Sequence, residues 1–222
     1  MKRPVRVTLF AMLGLGVLAA CGTNRRQEDR AEIVASVFNS LKNKITGQGE
    51  AAAQGLTPEQ VREIAPALIE QVSGPVLLFS QQRQGTLDIL ALNGEVGPYR
   101  VFASSSGATI TLEGGVLAET RRLGNDLMSS ENGPLPQMLA NRQEGDYQRV
   151  MRTLDGEGHE VATTFDCRLG FSGPDRMKEN CTTPGDAFRN IYEFVEGTDR
   201  LAKSDQWLNE ANGYISIEYL RY

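Results

Sequence analysis

The chain has 222 residues, of which 40% are hydrophobic, enough for one domain with a proper core or for two small ones. It carries 23 basic and 28 acidic side chains, so its formal net charge is −5 with the single His neutral. This acidic balance argues against nucleic acid as a partner and against electrostatic docking on anionic lipid.

The N-terminus has the three parts of a secretory signal. It starts with the basic residues Lys2, Arg3 and Arg6. The apolar run 7–17 is too short to cross a bilayer, because a spanning helix needs about 20 residues. Residues 18–21, Leu-Ala-Ala-Cys, have the lipobox pattern of Leu, two small residues and Cys. We predict a signal peptide over residues 1–20, cleavage before Cys21 and lipid on its thiol; an ordinary secretory signal with an incidental Cys is the alternative.

Lipid on Cys21 would hold the mature chain on a membrane, because several acyl chains such as palmitate anchor a protein firmly. An Asp after the Cys favours the inner membrane in enteric-type sorting, whereas this chain has Gly22. We therefore expect attachment to the outer membrane, on its periplasmic face. Without residues 1–20 the chain keeps 20 basic and 28 acidic side chains, a net charge of −8. Residues 21–30 are interpreted as a polar, lipidated tether.

Helices are predicted over residues 31–73. In the segment 31–45, apolar residues recur at steps of three and four and form one stripe. A second helix begins at Thr57, which can form a capping box with Gln60. Pro66 is expected to kink or divide that helix, because proline removes a helical hydrogen bond.

From residue 74 the apolar period changes to two, which indicates β-strands. The strand candidates are short and separated by turn residues, and Asn93-Gly94 has the sequence of a hairpin turn. This pattern favours an antiparallel sheet over parallel βαβ units. The predicted class is mostly β (α+β), with N-terminal helices followed by an antiparallel β body over residues 74–222. The stretch 124–146 is interpreted as a polar loop that divides the body into two similar halves, although no sequence repeat demonstrates them.

Three cysteines occur, and two remain once Cys21 is assigned to lipid. Cys167 and Cys181 can form a disulfide in an oxidising periplasm, and closing a loop of about 15 residues contributes roughly 3 kcal/mol in the chain-entropy model. Two free thiols or a metal pair are the alternatives. The CxxC spacing typical of zinc is absent from the sequence, which has one His, so we favour the disulfide and expect no metal.

Motifs for catalysis are absent from the sequence, which has no GxSxG nucleophile elbow, no HExxH and no Walker-type glycine loop. His159 follows the Gly-rich turn 155–158, where solvent exposure is the default. Glu113 and Asp126 are the acids to consider as a carboxylate pair, and solvated acids at strand ends are the simpler interpretation. We predict that the protein is not an enzyme and has no catalytic residues and no cofactor.

Three side chains are candidates for contact with a ligand or a partner. Arg121 and Arg122 lie just before Gly124, and guanidinium groups donate well to sugar hydroxyls and carboxylates. The simpler alternative is that these charges protect an edge strand. Trp207 could stack on a sugar ring, but a Trp in an alternating strand more often fills a core.

Several segments carry a family resemblance in addition to the lipobox. They are GGVLAETRRLGNDLM at 114–128, FDCRL at 165–169 with Cys181 after it, FRNIYEF at 188–194, and KSDQWLNEANGYISIEYLR at 203–221. In this order they resemble the YjbF/GfcB family of lipoproteins, which is associated with exopolysaccharide and group 4 capsule production and often has Gly at the position of Arg122. The resemblance implies a β-rich periplasmic lipoprotein without known catalysis, encoded beside a polysaccharide export porin. It implies no catalytic residues.

We therefore expect an outer-membrane lipoprotein that assists exopolysaccharide or capsule secretion or assembly by binding glycan or outer-membrane polysaccharide export proteins. The alternative from another class is a carrier or receptor for acyl chains that resembles the lipoprotein localisation factors. Those proteins cover an apolar cavity with a curved antiparallel sheet and helices. An enzyme that trims glycan is the third hypothesis. Co-purified lipid would favour the carrier, and a change in polymer length would favour the enzyme.

Overall fold

The computed structural model describes residue 36 and residues 57–70, 72–104 and 106–222. The predicted signal peptide, Cys21 and the predicted tether lie outside these residues. Of the predicted helix at 31–45, the described part includes only Ser36, which is helical. Among the helices that are described, none has the length and apolar character needed to cross a membrane.

Helix α1 spans Pro58–Ile69 and begins with the predicted capping box. The N–H of Thr57 donates to Gln60 Oε1 at 2.9 Å, and the N–H of Gln60 donates to Thr57 Oγ1 at 3.3 Å. Pro66 lies inside the helix and does not divide it. The buried side chain of Val61 packs on the outer face of the sheet that follows.

In the part of the chain that the structure describes, twelve strands form one antiparallel sheet. They are β1 (Val76–Gln81), β2 (Thr86–Val96), β3 (Tyr99–Ala103), β4 (Thr109–Glu113), β5 (Val116–Arg121), β6 (Leu127–Glu131), β7 (Gly145–Leu154), β8 (Glu160–Gly173), β9 (Arg176–Thr183), β10 (Asp186–Phe194), β11 (Leu201–Asn209) and β12 (Gly213–Arg221). Helix α2 (Leu135–Ala140) lies between β6 and β7. The strand order is β5-β4-β3-β2-β1-β12-β11-β10-β9-β8-β7-β6, so that pairing of β1 with β12 joins two meanders, β1–β5 and β6–β12.

The predicted mostly β class with antiparallel strands is confirmed, but two local predictions are wrong. Asn93-Gly94 is not a hairpin turn: β2 runs through it to Val96, and the register shifts between Leu92 and Gly94 as in a β-bulge. The stretch 124–146 is not a continuous loop, since it contains β6 and α2. Proline suits the first turn of α2, because the N–H it lacks has no helical partner there. The chain divides near this segment, but into two meanders of a single sheet.

The sheet curves until its edge strands, β5 and β6, lie side by side. The N–H of Leu127 on β6 donates to Thr120 Oγ1 on β5 at 2.9 Å. On β5, the N–H of Leu117 donates to Gln206 Oε1 at 2.8 Å, and the carbonyl of Leu117 accepts from Arg149 Nη2 at 3.1 Å. An unpaired edge strand invites pairing with another chain. In this protein, buried side chains inside the curved sheet provide hydrogen-bond partners for the backbone groups of these edge strands.

The two ends of the curved sheet differ. At one end, which we call the closed end, α2 packs its buried residues Leu135, Met138 and Leu139 against side chains from several strands. These are Val116, Leu169, Met177, Tyr192 and Phe194. At the other, which we call the open end, the strands are connected by short polar turns that include 82–85, 122–126, 155–159 and 210–212.

Candidate functional site

At the open end the sheet splits between β10 and β11. The backbone pairing of these two strands reaches Ile191 and does not continue toward the open end. The N–H of Trp207 donates instead to Asn190 Oδ1 at 2.7 Å, and the N–H of Arg189 donates to the hydroxyl of Tyr214 at 3.0 Å. Side chains thus satisfy backbone groups that a continuous ladder would have paired.

A cleft of about 240 Å³ lies beside this split. Its lining combines apolar and polar side chains, which include Met151, Phe165 and Trp207 and also Asn125, Thr153, Thr163, Asp186, Asn209 and Glu210. Apolar walls with a few convergent polar groups are the usual form of a small-ligand site. We take this Trp207 cleft as the candidate functional site.

Aromatic packing fixes the indole of Trp207 in the cleft wall. The ring of Phe188 stacks on it with centroids 4.8 Å apart and an angle of 6° between the planes. The ring of Phe165 meets it edge-on, with centroids 5.9 Å apart and an angle of 71°. Trp207 is therefore half in the core, as the alternating pattern predicted, and half in the cleft wall.

The turn at 122–126 forms one side of the cleft. Asp126 holds this turn by accepting hydrogen bonds from Thr120 Oγ1 at 3.0 Å and from the N–H groups of Arg122 and Leu123 at 2.8 and 3.0 Å. The bond to Arg122 stabilises a left-handed backbone, with φ of 64°, that glycine adopts more easily. The carbonyl of Asn125 accepts from Asn209 and Asn212, which ties the turn to β11.

The structure does not bring the three predicted contact residues into one site. The guanidinium of Arg122 lies against Gly107 in a second cleft of about 300 Å³, on the other side of the 122–126 turn from Trp207. Arg121 lines neither of these clefts. Its guanidinium contacts Glu119 and donates to the carbonyl of Thr120 at 2.8 Å.

The residues considered for catalysis are also separated. His159 is exposed in the hairpin turn between β7 and β8, where its backbone N–H lowers the pKa of Asp155 by donating to that carboxylate. Glu113 ends β4 at the closed end, whereas Asp126 lies in the turn at the open end. The two carboxylates therefore do not form a pair.

Cys167 and Cys181 form a disulfide that joins β8 and β9 at directly opposite positions. The carboxylate of Glu179 lies beside the sulfurs, and these three residues form a buried group with the donor types of a metal site. The sulfurs bond to each other, and the carboxylate already serves other partners, as described next. The described geometry is thus that of a disulfide and not of a metal pair.

Sequence reasoning missed a buried ion pair between β7 and β9. Arg149 Nη1 lies 3.3 Å from Glu179 Oε1, and both side chains are fully buried. Glu179 also accepts hydrogen bonds from the hydroxyls of Tyr147 and Tyr192 at 2.6 and 2.9 Å and from Asn190 Nδ2 at 2.6 Å. Burial, together with the nearby Glu179 charge, raises the pKa of both tyrosines well above its usual value. The pair is therefore fully hydrogen-bonded, as a buried charge must be.

A sequence signal for this network exists in the alternation of the strands. Arg149 lies between Tyr147 and Met151 at every second position, so it shares their inward face. Asn190 connects the network to the cleft, because its Nδ2 donates to Glu179 while its Oδ1 accepts from the backbone of Trp207. The ion pair thus supports the strand that carries the indole.

Comparison with known proteins gives a family. The model of the family described as group 4 capsule polysaccharide lipoprotein, YjbF, matches residues 32–220. The chain belongs to the YjbF family. This confirms the resemblance found in the sequence, and it links the chain to membrane-anchored envelope lipoproteins and to capsule polysaccharide production.

A solved structure has the same fold as this chain. It is the hypothetical lipoprotein YmcC from Escherichia coli K12, which is 16% identical, with a TM-score of 0.61 over 76% of this chain and 98% of that chain. At this identity the likeness shows the fold alone. A search of the curated proteins finds no match for the chain.

Proposed function

We propose that this YjbF-family chain assists the secretion or assembly of capsule or exopolysaccharide by binding glycan in the Trp207 cleft. In this proposal lipid on Cys21 anchors the chain to the outer membrane with its β body in the periplasm, and glycan is bound without being cleaved. Outer-membrane export proteins that carry the same polymer would be its partners. The observation that carries glycan binding is an indole held rigidly in a cleft between hydroxyl, amide and carboxylate side chains.

Sugar rings match such a cleft in two ways. Their C–H faces pack on the electron-rich face of an indole, and their hydroxyls exchange hydrogen bonds with groups such as those of Asn125, Thr153 and Thr163. The rigid setting of Trp207 supports binding, because little side-chain freedom is lost when ligand arrives.

The acyl-chain carrier has weaker support in the described residues. Such a carrier needs a long apolar cavity, whereas the interior of the sheet is filled by a continuous cluster of buried side chains that includes Leu77, Phe102 and Ile217. Both clefts at the open end also have polar side chains in their lining. We therefore place glycan binding first.

The single Trp of the sequence makes the test direct, because intrinsic fluorescence reports on Trp207 alone. We expect the emission of the full-length lipoprotein in non-ionic detergent to change in a saturable way when the capsule polysaccharide of the producing cell is added. Trp207→Ala should weaken binding measured by calorimetry by roughly tenfold, since aromatic contacts contribute about 0.5–1.5 kcal/mol beyond the area they bury.

The matched control is Tyr222→Ala, which removes an aromatic ring that is 41% exposed at the closed end. This variant should bind polymer as the unchanged protein does. Equal affinities for Trp207→Ala and the unchanged protein would reject the cleft as the glycan site. Normal polymer output in a clean gene deletion would reject the role in polysaccharide production.

A further inference from the structure

The charged side chains that line the Trp207 cleft are both acidic. They are Asp186, the first residue of β10, and Glu210, which follows β11. Asp186 Oδ1 accepts the N–H of Ala187 at 2.7 Å, which holds this carboxylate at the start of the split strand. Arg83 does not line the cleft, but its guanidinium donates to the backbone carbonyls of Glu210 and Ala211.

The second cleft differs in charge, although it lies on the other side of the same turn. It contains Arg122 as well as Asp88, so its lining has both signs. The Trp207 cleft has carboxylates without a cation among its lining residues. The whole chain adds to this field, since its formal net charge is −5.

We infer that the Trp207 cleft takes stretches of glycan that carry no negative charge, and that it prefers sugars with a protonated amine. This inference rests on the proposed glycan binding and names the class of sugar. An ammonium group donates charge-assisted hydrogen bonds to carboxylates and is attracted to the face of an indole. A uronate or a phosphate in the same place meets like charge, which disfavours binding.

The expected preference is modest because Asp186 and Glu210 are both exposed. Exposed ion pairs are screened by water and salt, so two of them should favour the amine sugar by roughly three- to tenfold. The preference should shrink as salt is added, since the Debye length falls from about 10 Å at 0.1 M to about 3 Å at 1 M and exposed charge pairs are then screened more strongly.

The test uses oligosaccharides of equal length added to the full-length lipoprotein in non-ionic detergent, with Trp207 emission as the readout. Oligomers of β-linked glucosamine and of N-acetylglucosamine share one backbone and differ in the free amine, and galacturonic acid oligomers supply the anionic set. In a buffer that protonates the amines, affinity should fall in the order glucosamine, N-acetylglucosamine, galacturonic acid.

Two double variants separate the effect of the cleft carboxylates from the effect of the overall charge of the protein. Asp186→Asn with Glu210→Gln should abolish the preference for glucosamine over N-acetylglucosamine. Glu196→Gln with Asp199→Asn removes the same charge from an exposed turn at the closed end and should leave the preference intact. Tightest binding of galacturonic acid, or a preference that survives the first double variant, would overturn the inference while glycan binding stands. Absence of binding by all three sets and by the native polymer would overturn both proposals.

Discussion

The two ends of the curved sheet use the same strands for different purposes. At the closed end, α2 inserts three apolar side chains between the strands and packs them against Tyr192 and Phe194. At the open end, β10 and β11 separate, and side chains such as Asn190 replace the missing backbone partners. The hydrophobic effect is non-directional, so burial of apolar area stabilises a fold without fixing any group in one orientation. A cleft, in contrast, needs polar groups at defined positions. The closed end and the interior thus stabilise the scaffold that carries the Trp207 cleft at the open end.

The largest expected effect comes from the buried ion pair between β7 and β9. Arg149→Ala leaves Glu179 buried without its charge partner, which should lower the free energy of unfolding by about 3–5 kcal/mol. Chemical denaturation measures this loss. The control is Arg152→Ala on the same strand, where pairs with Glu131 and Glu160 are partly exposed and contribute about 0–1 kcal/mol. Equal losses in the two variants would contradict the importance of the buried pair.

A change at the closed end should affect stability but not binding. Leu139 is 2% exposed, so Leu139→Ala leaves a cavity and should cost about 2–5 kcal/mol of unfolding free energy. Trp207 emission and glycan affinity should be unchanged under native conditions. Gln137→Ala, on the exposed side of the same helix, should alter neither quantity. A loss of glycan affinity in Leu139→Ala would show that the two ends are coupled.

A change at the open end should affect both stability and binding. Asp126→Ala removes the acceptor for three hydrogen bonds in the 122–126 turn and should cost about 1–2 kcal/mol, because the partly buried donors of Thr120 and Leu123 lose their partner. Glycan affinity should fall as well, since this turn forms a wall of the cleft. Asp155→Ala removes a similar acceptor in an exposed hairpin, where water can replace it. If both variants bind glycan as the unchanged protein does, the turn does not shape the site.

The smallest effect is a pH dependence at the closed end. Burial raises the pKa of Tyr219 to about 12 from an ordinary value of 10.0. The folded state keeps this proton to higher pH than the unfolded state does. The contribution of Tyr219 to the free energy of unfolding is therefore complete below pH 10 and is lost as the pH rises toward about 12. Denaturation at several alkaline pH values should show that the free energy of unfolding falls less steeply with pH in Tyr219→Phe than in the unchanged protein. An identical slope in both proteins would exclude Tyr219 as the source of this pH dependence.

Local pattern predicted much of the fold. The capping box of Thr57 and Gln60 forms as predicted, and the alternating segments become strands of an antiparallel sheet. The prediction at Asn93-Gly94 is wrong because the partner strand β3 keeps β2 extended through a bulge, and turn propensity cannot account for a partner strand. The proline-rich stretch after β6 becomes α2 because its apolar residues find a place to bury.

The candidate site was less accessible to sequence reasoning. Trp207 was among the predicted contacts, but its neighbours Asp186 and Asn125 are far away in the chain and join it only where the sheet curves. Arg122 belongs to a different cleft, and Arg149 and Glu179 are 30 residues apart. Contacts over such separations depend on strand order and register, which alternation alone does not specify.

Sequence alone was enough to predict most of the strands, the helix start at Thr57 and membership of the YjbF family, because these depend on residues that are close in the chain or on motifs in a fixed order. Where the sheet opens, and which side chains meet there, depends on how distant strands pack. The reason is physical: the ladder between β10 and β11 stops where Asn190 and Tyr214 can satisfy the freed backbone groups, and that exchange exists only once distant strands have packed together.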